Sequence, residues 1–284
     1  MIDSGPARAT GVIVCADDFA IHASASMGIA KLARMKRISA TSAMVLSPRW
    51  HQDAALLQDL RGQLDVGLHL DWTSNFAVAA GHGLPLGAAM RSALLGGFDR
   101  ARAAAVIEHQ LDAFESHWQA PPDFVDGHQH VQQFAGIREA LVATLVRRYG
   151  MQAAPPYLRI SRLPSALADL KSRVIGWMGA SALEKIAVEA QLPHTKDLLG
   201  VYDFAGGPPR YAALMKRWLQ RATPGCILMC HPAQAAEPED AIGMARLQEF
   251  SYLASTDFAH ALQLAGVTVV RGHAATPSLK SAGD

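Results

Sequence analysis

Three cysteines in 284 residues are too few for a disulfide framework. Cys15, Cys226 and Cys230 sit in apolar, strand-like runs and read as buried, reduced thiols. Cys226, Cys230 and His231 could open a zinc site, but the intervening Ile-Leu-Met is core-like and no second ligand pair follows, which argues against structural zinc there. Charge of one sign is missing too. The formal net charge is +1, and no dense Lys/Arg block supplies the basic face that nucleic acid requires. No run reaches the ~18 apolar residues of a membrane span. The first ten residues, MIDSGPARAT, hold no apolar signal core. No GxGxxG follows an apolar run and no Walker A sequence occurs, so a nucleotide site is not indicated. These absences lead us to expect a soluble, cytoplasmic protein that binds no nucleic acid. They leave oligomeric state open, a homodimer included.

What is present is an ordinary globular composition, half apolar and 18% charged, with enough hydrophobic residues for a sizeable core. Short β-rich runs alternate with longer helical ones. Strands are expected at GVIVCADDF, SATSAMVLS, LDVGLHLDW, DFVDGHQHV, PYLRIS, LLGVYDFAGG, CILMC and VTVV. Helices are expected over 24–36, 101–118, 134–149, 165–191 and 244–265, and around Leu214 to Leu219. The helix over 101–118 is the clearest, with Ile107, Leu111, Phe114 and Trp118 on one stripe. Strands separated by helices imply an α/β fold with mostly parallel strands. A single barrel-like domain suits the length, with a doubly wound open sheet as the alternative. No repeat or compositional break marks a domain boundary.

Polar residues collect at the ends of the apolar runs. Asp17 and Asp18 close the first, His69 lies in VGLHLDW, and Asp126, His128 and His130 follow Phe124-Val125. Arg159 lies in YLRIS and His231 closes CILMC. In parallel α/β folds the C-terminal strand ends form one rim, where ligands bind. Each residue taken singly has a structural explanation: His69 as a hydrogen-bonded core histidine, Asp126 as an Asp-Gly turn, Arg159 as a surface ion pair. Together they make a metal-site inventory. Adjacent residues of an extended chain point opposite ways, so Asp17 and Asp18 are expected to divide the work. One would bind a divalent ion and the other would act as a base. Two imidazoles and a carboxylate suit Zn2+ or Mg2+, with a tilt to zinc.

The pieces ADDF (16–19), GLHL (67–70), DGHQHV (126–131), LRI (158–160), GVYDF (200–204) and MCHPA (229–233) resemble the YdjC-like carbohydrate deacetylases, relatives of the NodB-type polysaccharide deacetylases. The resemblance implies an irregular (β/α) barrel over residues 11–272, with a flexible lead (1–10) and tail (273–284). It implies one divalent metal held by Asp18, His69 and His128. Asp17 would be the general base, His231 the general acid, and Arg159 would tune the site. His130 and Asp126 would stand behind the ligands or face the substrate, a small-molecule or oligosaccharide substrate of the N-acetylglucosamine type, or a glycolipid bearing such a sugar. By its position just past His69, Trp72 could stack on a sugar ring or equally serve packing. The chain departs from the family pattern at Ala20 (usually glycine), Gln132 (usually histidine) and Ala233 (usually glycine). A glycosidase is disfavoured, because its two carboxylates sit on separate elements at least ~5 Å apart. A metal- or sugar-binding protein without turnover is the other reading.

Overall fold

Strand β1 (Thr10–Phe19) is the axis of the fold. The computed structural model describes residues 9–164 and 179–275. The leader up to residue 8, the stretch 165–178 of the expected helix 165–191, and the tail from 276 lie outside the described residues. The other strands are β2 (Ala40–Ala43), β3 (Asp65–Leu70), β4 (Phe124–Gly127), β5 (Tyr157–Leu158), β6 (Leu198–Leu199), β7 (Ile227–Cys230) and β8 (Val267–Val269). They form one curled sheet in the order β5-β4-β3-β2-β1-β7-β6, with β8 beside the start of β1. Every strand pairing is parallel. Helices pack on the outside, giving the irregular (β/α) barrel of a single α/β domain.

The two-residue period of the strands builds this arrangement. Val12, Val14, Ala16, Val66, Leu68, Leu70 and Leu228 point outward into a core shared with the helices. Ile13, Cys15, Ala40, Phe124, Tyr157, Leu198, Ile227 and Met229 form a second cluster, made almost wholly of strand residues, inside the curl. There the Phe124 and Tyr157 rings stack at 5.1 Å between centroids. Space inside is tight. A Cβ at Gly67 would lie 2.6 Å from the Phe124 ring, so glycine is required at this point of β3.

The helix Arg100–Trp118 forms as its stripe predicts, with Ile107, Leu111, Phe114 and Trp118 buried, and the Asp99 side chain caps it by accepting from Arg102 N–H. Two expectations are corrected. The helix expected over 244–265 is two, Gly243–Ala254 and Thr256–Ala265. Ser255 breaks it: its backbone is extended and its hydroxyl caps the second helix at Asp257 N–H. The strand expected over LLGVYDFAGG is only Leu198–Leu199. Gly200 turns to φ 94°, close against the Met229 carbonyl, and lifts the chain off the sheet. Past Leu158 the sequence likewise leaves the ladder, although Arg159 N–H still donates to Val125 O (3.1 Å).

At the far end of β1 the pairing with β2 slips between Ala16 and Phe19. Asp18 (φ 65°) and Ala20 (φ 73°) take left-handed conformations there. Alanine stands here, where the family pattern has glycine, against left-handed strain of about 1–2 kcal/mol, partly offset by about 0.8 kcal/mol from burying its methyl.

The interior packing makes a direct prediction. Gly67→Ala should cost about 1–3 kcal/mol, read as a lower urea midpoint at unchanged slope. An unchanged midpoint would mean that the Phe124–Tyr157 stack moves aside freely.

Candidate metal centre and active site

On five strands the inward row continues past its first residues into a polar one. Ile13 and Cys15 lead to Asp17, Gly67 to His69, Phe124 to Asp126, Tyr157 to Arg159, and Ile227 and Met229 to His231. Parallel strands deliver all five to the same end of the barrel. Asp17, Asp18, His69, His128, His130, Arg159 and His231 line one cavity of about 480 Å³, within the usual range of small-molecule sites. Asp18 is out of phase with Asp17 and reaches the cavity because of its left-handed backbone.

Donor atoms of Asp18, His69 and His128 lie within 4.8 Å of one another. His69 Nε2 is 3.3 Å and His128 Nδ1 3.2 Å from the same oxygen, Asp18 Oδ1. Asp126 Oδ1 holds His69 Nδ1 at 2.6 Å, which turns Nε2 toward Asp18, as a carboxylate behind a metal-ligating histidine does. The donor set therefore fits a divalent cation. So does the local charge. Three buried carboxylates, Asp17, Asp18 and Asp126, face two buried guanidiniums, Arg159 and Arg246. Without a metal, a proton makes up the difference: burial opposes charge on His69, but Asp126 and Asp18 outweigh it and raise the imidazole to about 10. A second group, Cys15, Asp17 and Asp126, is equally compact but does not fit an ion, because Arg159 already bridges its two carboxylates at 2.7 and 2.9 Å.

The two aspartates differ in their partners. Arg159 donates to both oxygens of Asp17 (2.7 and 2.8 Å). Burial alone would raise Asp17, but the Arg159 guanidinium, aided by His69, holds it at about 2. Asp18 receives Arg246 Nη2 on Oδ2 only (2.7 Å), so Oδ1 stays with the histidines. Burial again opposes the charge, and Arg246 and His128 keep the carboxyl well below its ordinary value.

Of the remaining expected residues, His130 is buried, its Nδ1 3.0 Å from Ser161 Oγ. Burial and then Arg159 push its imidazole down to about 3. It and Gln129 take left-handed backbone (φ 63° and 53°), which turns the chain after β4 back over the cavity. Gln132 donates to Arg159 O (3.2 Å) and Ser161 Oγ (3.0 Å), tying that turn to the segment carrying Arg159. Ala233 is fully buried, its N–H on Arg246 O. Trp72 is 2% exposed, edge-on to His82 and not part of the cavity lining; of the two readings open for it, it takes the packing one. Cys226, Cys230 and His231 form no metal-holding group among the described residues.

His231 presents its ring edge-on to Phe204 at 5.3 Å, and its buried Nδ1 has no hydrogen-bond partner among the described residues. Burial drives the imidazole down to about 4 although Asp18 and Asp17 pull it up. Its backbone N–H is held by Glu249 Oε2 (2.6 Å), while Glu249 Oε1 accepts from Tyr202 OH (2.7 Å). Burial raises Glu249 to about 7. Sequence reasoning missed Glu249 and Arg246, together with Asp240, which accepts from Arg246 Nε (2.5 Å) and contacts His22 Nε2 (3.2 Å). The signal available was Arg246 and Glu249 in a helix with an apolar stripe; their spacing of three is that of a solvent-side ion pair, and it masks two buried groups.

The YdjC-like protein family model matches residues 11–264. No curated protein matches the chain. Among solved structures, a protein from Enterococcus faecalis V583 named for cellobiose-phosphate cleavage is 17% identical over 95% of this chain and 100% of its own, with a TM-score of 0.72. The two share the fold. The Xyl-CE4 domain of a multidomain xylanase from the hindgut metagenome of Trinervitermes trinervoides matches at 7% identity over 93% and 87% of the two chains, with a TM-score of 0.49. A family 4 carbohydrate esterase from Streptomyces lividans matches at 11% over 93% of each, with a TM-score of 0.41.

Two predictions come from the ion pairs and the buried imidazole. Arg159→Met or Arg246→Met strands a buried carboxylate and should cost about 3–5 kcal/mol each, measured by urea unfolding in chelator. A loss below about 1 kcal/mol would show that water reaches the carboxylates. His231 is depressed in the fold from 6.5 to about 4, so the unfolded chain binds more protons between those values. Its contribution to stability is complete above pH 6.5 and is lost as the pH falls toward 4. His231→Phe should therefore gain about 2–3 kcal/mol relative to the parent across that window. A pH-independent difference would place a charged imidazole in the fold.

Proposed function

The chain belongs to the YdjC-like family, and on that premise we propose that it is a metal-dependent hydrolase removing acetyl groups from N-acetylated sugars. One observation carries the reading: Asp18, His69 and His128 converge donor atoms within 4.8 Å on a cavity that Asp17 and His231 also line. A divalent ion, Zn2+ or Mg2+, held by these three side chains would polarise the acetamide carbonyl and make water acidic enough to attack it.

The chain's own groups would do the rest. Asp126 fixes the His69 tautomer, and Arg246 leaves Asp18 one oxygen for ligation. Asp17, ionised by its bond to Arg159, would accept the proton of the attacking water when one oxygen turns from the guanidinium. His231 would protonate the leaving nitrogen, because an amine departs poorly as an anion. Its ring is neutral at rest, so it would carry a proton only when negative charge develops in the cavity. His130, turned to Ser161, would hold the turn after β4 in place rather than take a proton.

The test is acetate release from N-acetylglucosamine oligomers, with and without chelator. Asp18→Asn should lose metal and activity together. Asp17→Asn should keep the metal and lose about 10²–10⁴-fold in rate. Full activity of Asp17→Asn would remove Asp17 as base, and a metal-loaded parent that releases no acetate from any N-acetyl sugar would sink the reading.

A further inference from the structure

The walls of the cavity do not resemble its floor. The floor carries the polar groups, and apart from His231 they are already engaged: Asp17 with Arg159, Asp18 with Arg246 and two histidines, Asp240 with Arg246 and His22, His130 with Ser161. The walls are Ile21, Leu86, Met90, Val201, Phe204 and Ile242, all half-buried apolar side chains. Leu86 and Met90 are four apart on the helix Leu86–Leu94 and share its inward face with buried Ala89. Beyond the charged and ring-bearing groups named above, the polar side chain lining the cavity among the described residues is Gln129, which is exposed at the mouth.

A sugar chain threaded through such walls would strip water from several hydroxyls and return few hydrogen bonds, which weakens binding. An apolar group would instead trade water for the contacts that Leu86, Met90, Val201 and Phe204 offer. The wall residues lie on the helix Leu86–Leu94 (Leu86 and Met90) and outside the strands and helices (Ile21, Val201, Phe204 and Ile242), so they stand outside the inward row that carries the proposed reacting groups. We propose that the substrate is an amino-sugar amide bearing an apolar substituent of several carbons beyond the acetyl methyl, seated on this wall. The inference rests on the deacetylase reading. The apolar carbons could be on the glycosidic oxygen or in the acyl group, and the two sources are separable.

Two series distinguish them on the metal-loaded protein: methyl, butyl and octyl glycosides of N-acetylglucosamine, and glucosamine acylated with acetyl, butanoyl and octanoyl groups. In one arm kcat/KM should rise about threefold to fourfold per methylene until the cavity is filled, and unsubstituted N-acetylglucosamine oligomers should fall below its best member. Met90→Ser should flatten that slope. Both arms flat, with the oligomers as the best substrates, would overturn the proposal and leave the deacetylase reading standing. Calorimetric binding of methyl, butyl and octyl glucosaminides, which hold no acetyl group, separates the remaining case. Affinity that climbs with chain length without any turnover supports the apolar site and sinks the deacetylase, and affinity indifferent to length overturns the apolar site.

Discussion

Two carboxylates on consecutive residues at the buried end of β1 are the constraint around which this molecule is arranged. Neither can ionise there without a cation within reach, since burial and mutual repulsion both favour protonation. The fold supplies one guanidinium to each. Arg159 comes from just beyond β5, four strands along the sheet from β1, and takes both oxygens of Asp17. Arg246 comes from the helix Gly243–Ala254 and takes only Oδ2 of Asp18. That single difference makes two identical side chains chemically distinct. Asp17 is a closed fork-to-fork pair, and Asp18 keeps an oxygen for two imidazoles.

Such pairs do not explain stability. The Coulomb gain of a buried pair is largely cancelled by the desolvation of both ions, and apolar replacements of matched volume are often as stable. What the pairs supply is position. A bidentate guanidinium admits one orientation of its carboxylate, so Asp17 is fixed against the inward row and Asp126 is fixed in turn, through Arg159 and His69. The ledger of three carboxylates and two arginines also leaves room for one more positive charge at Asp18, which a proton on His69 or a divalent ion can fill. The compact second group around Cys15 has no such vacancy, because Arg159 already occupies it.

Much of this is visible in the residues as written. Strand period places Asp17, His69, Asp126, Arg159 and His231 in step with Ile13, Phe124, Tyr157 and Met229, and parallel strands bring their ends together; that much needs only alternation and topology. Asp18 is visible as a residue but not in its direction, because the left-handed turn at φ 65° is a backbone event that Asp-Asp-Phe does not encode unambiguously. Arg246, Glu249 and Asp240 were not visible at all. Charged residues on a helix normally mark its wet face, and here the helix rolls Arg246 and Glu249 inward because the strand ends hold groups that only they can satisfy. Trp72 is open in the sequence, since a Trp just past His69 can stack on a sugar or pack equally well; it continues the outward row of Leu68 and Leu70 and is consumed by the helix-side core.

The division between strand and loop also separates two kinds of selectivity. Asp17, Asp18, His69, Asp126 and Arg159 are locked by pairs, each within hydrogen-bond or ion-pair reach of a partner on another element, so they can change little without stranding a buried charge. The wall residues are on loops and on the short helix Leu86–Leu94 and, being apolar, can exchange one side chain for another at the cost of a methylene or two. Under the proposed function, a barrel built this way would hold its reacting groups constant while the material around the substrate varies. In this chain that material would be Ile21, Leu86, Met90, Val201, Phe204 and Ile242, and the chemistry of the substrate would be written on these side chains rather than on the paired aspartates beneath them.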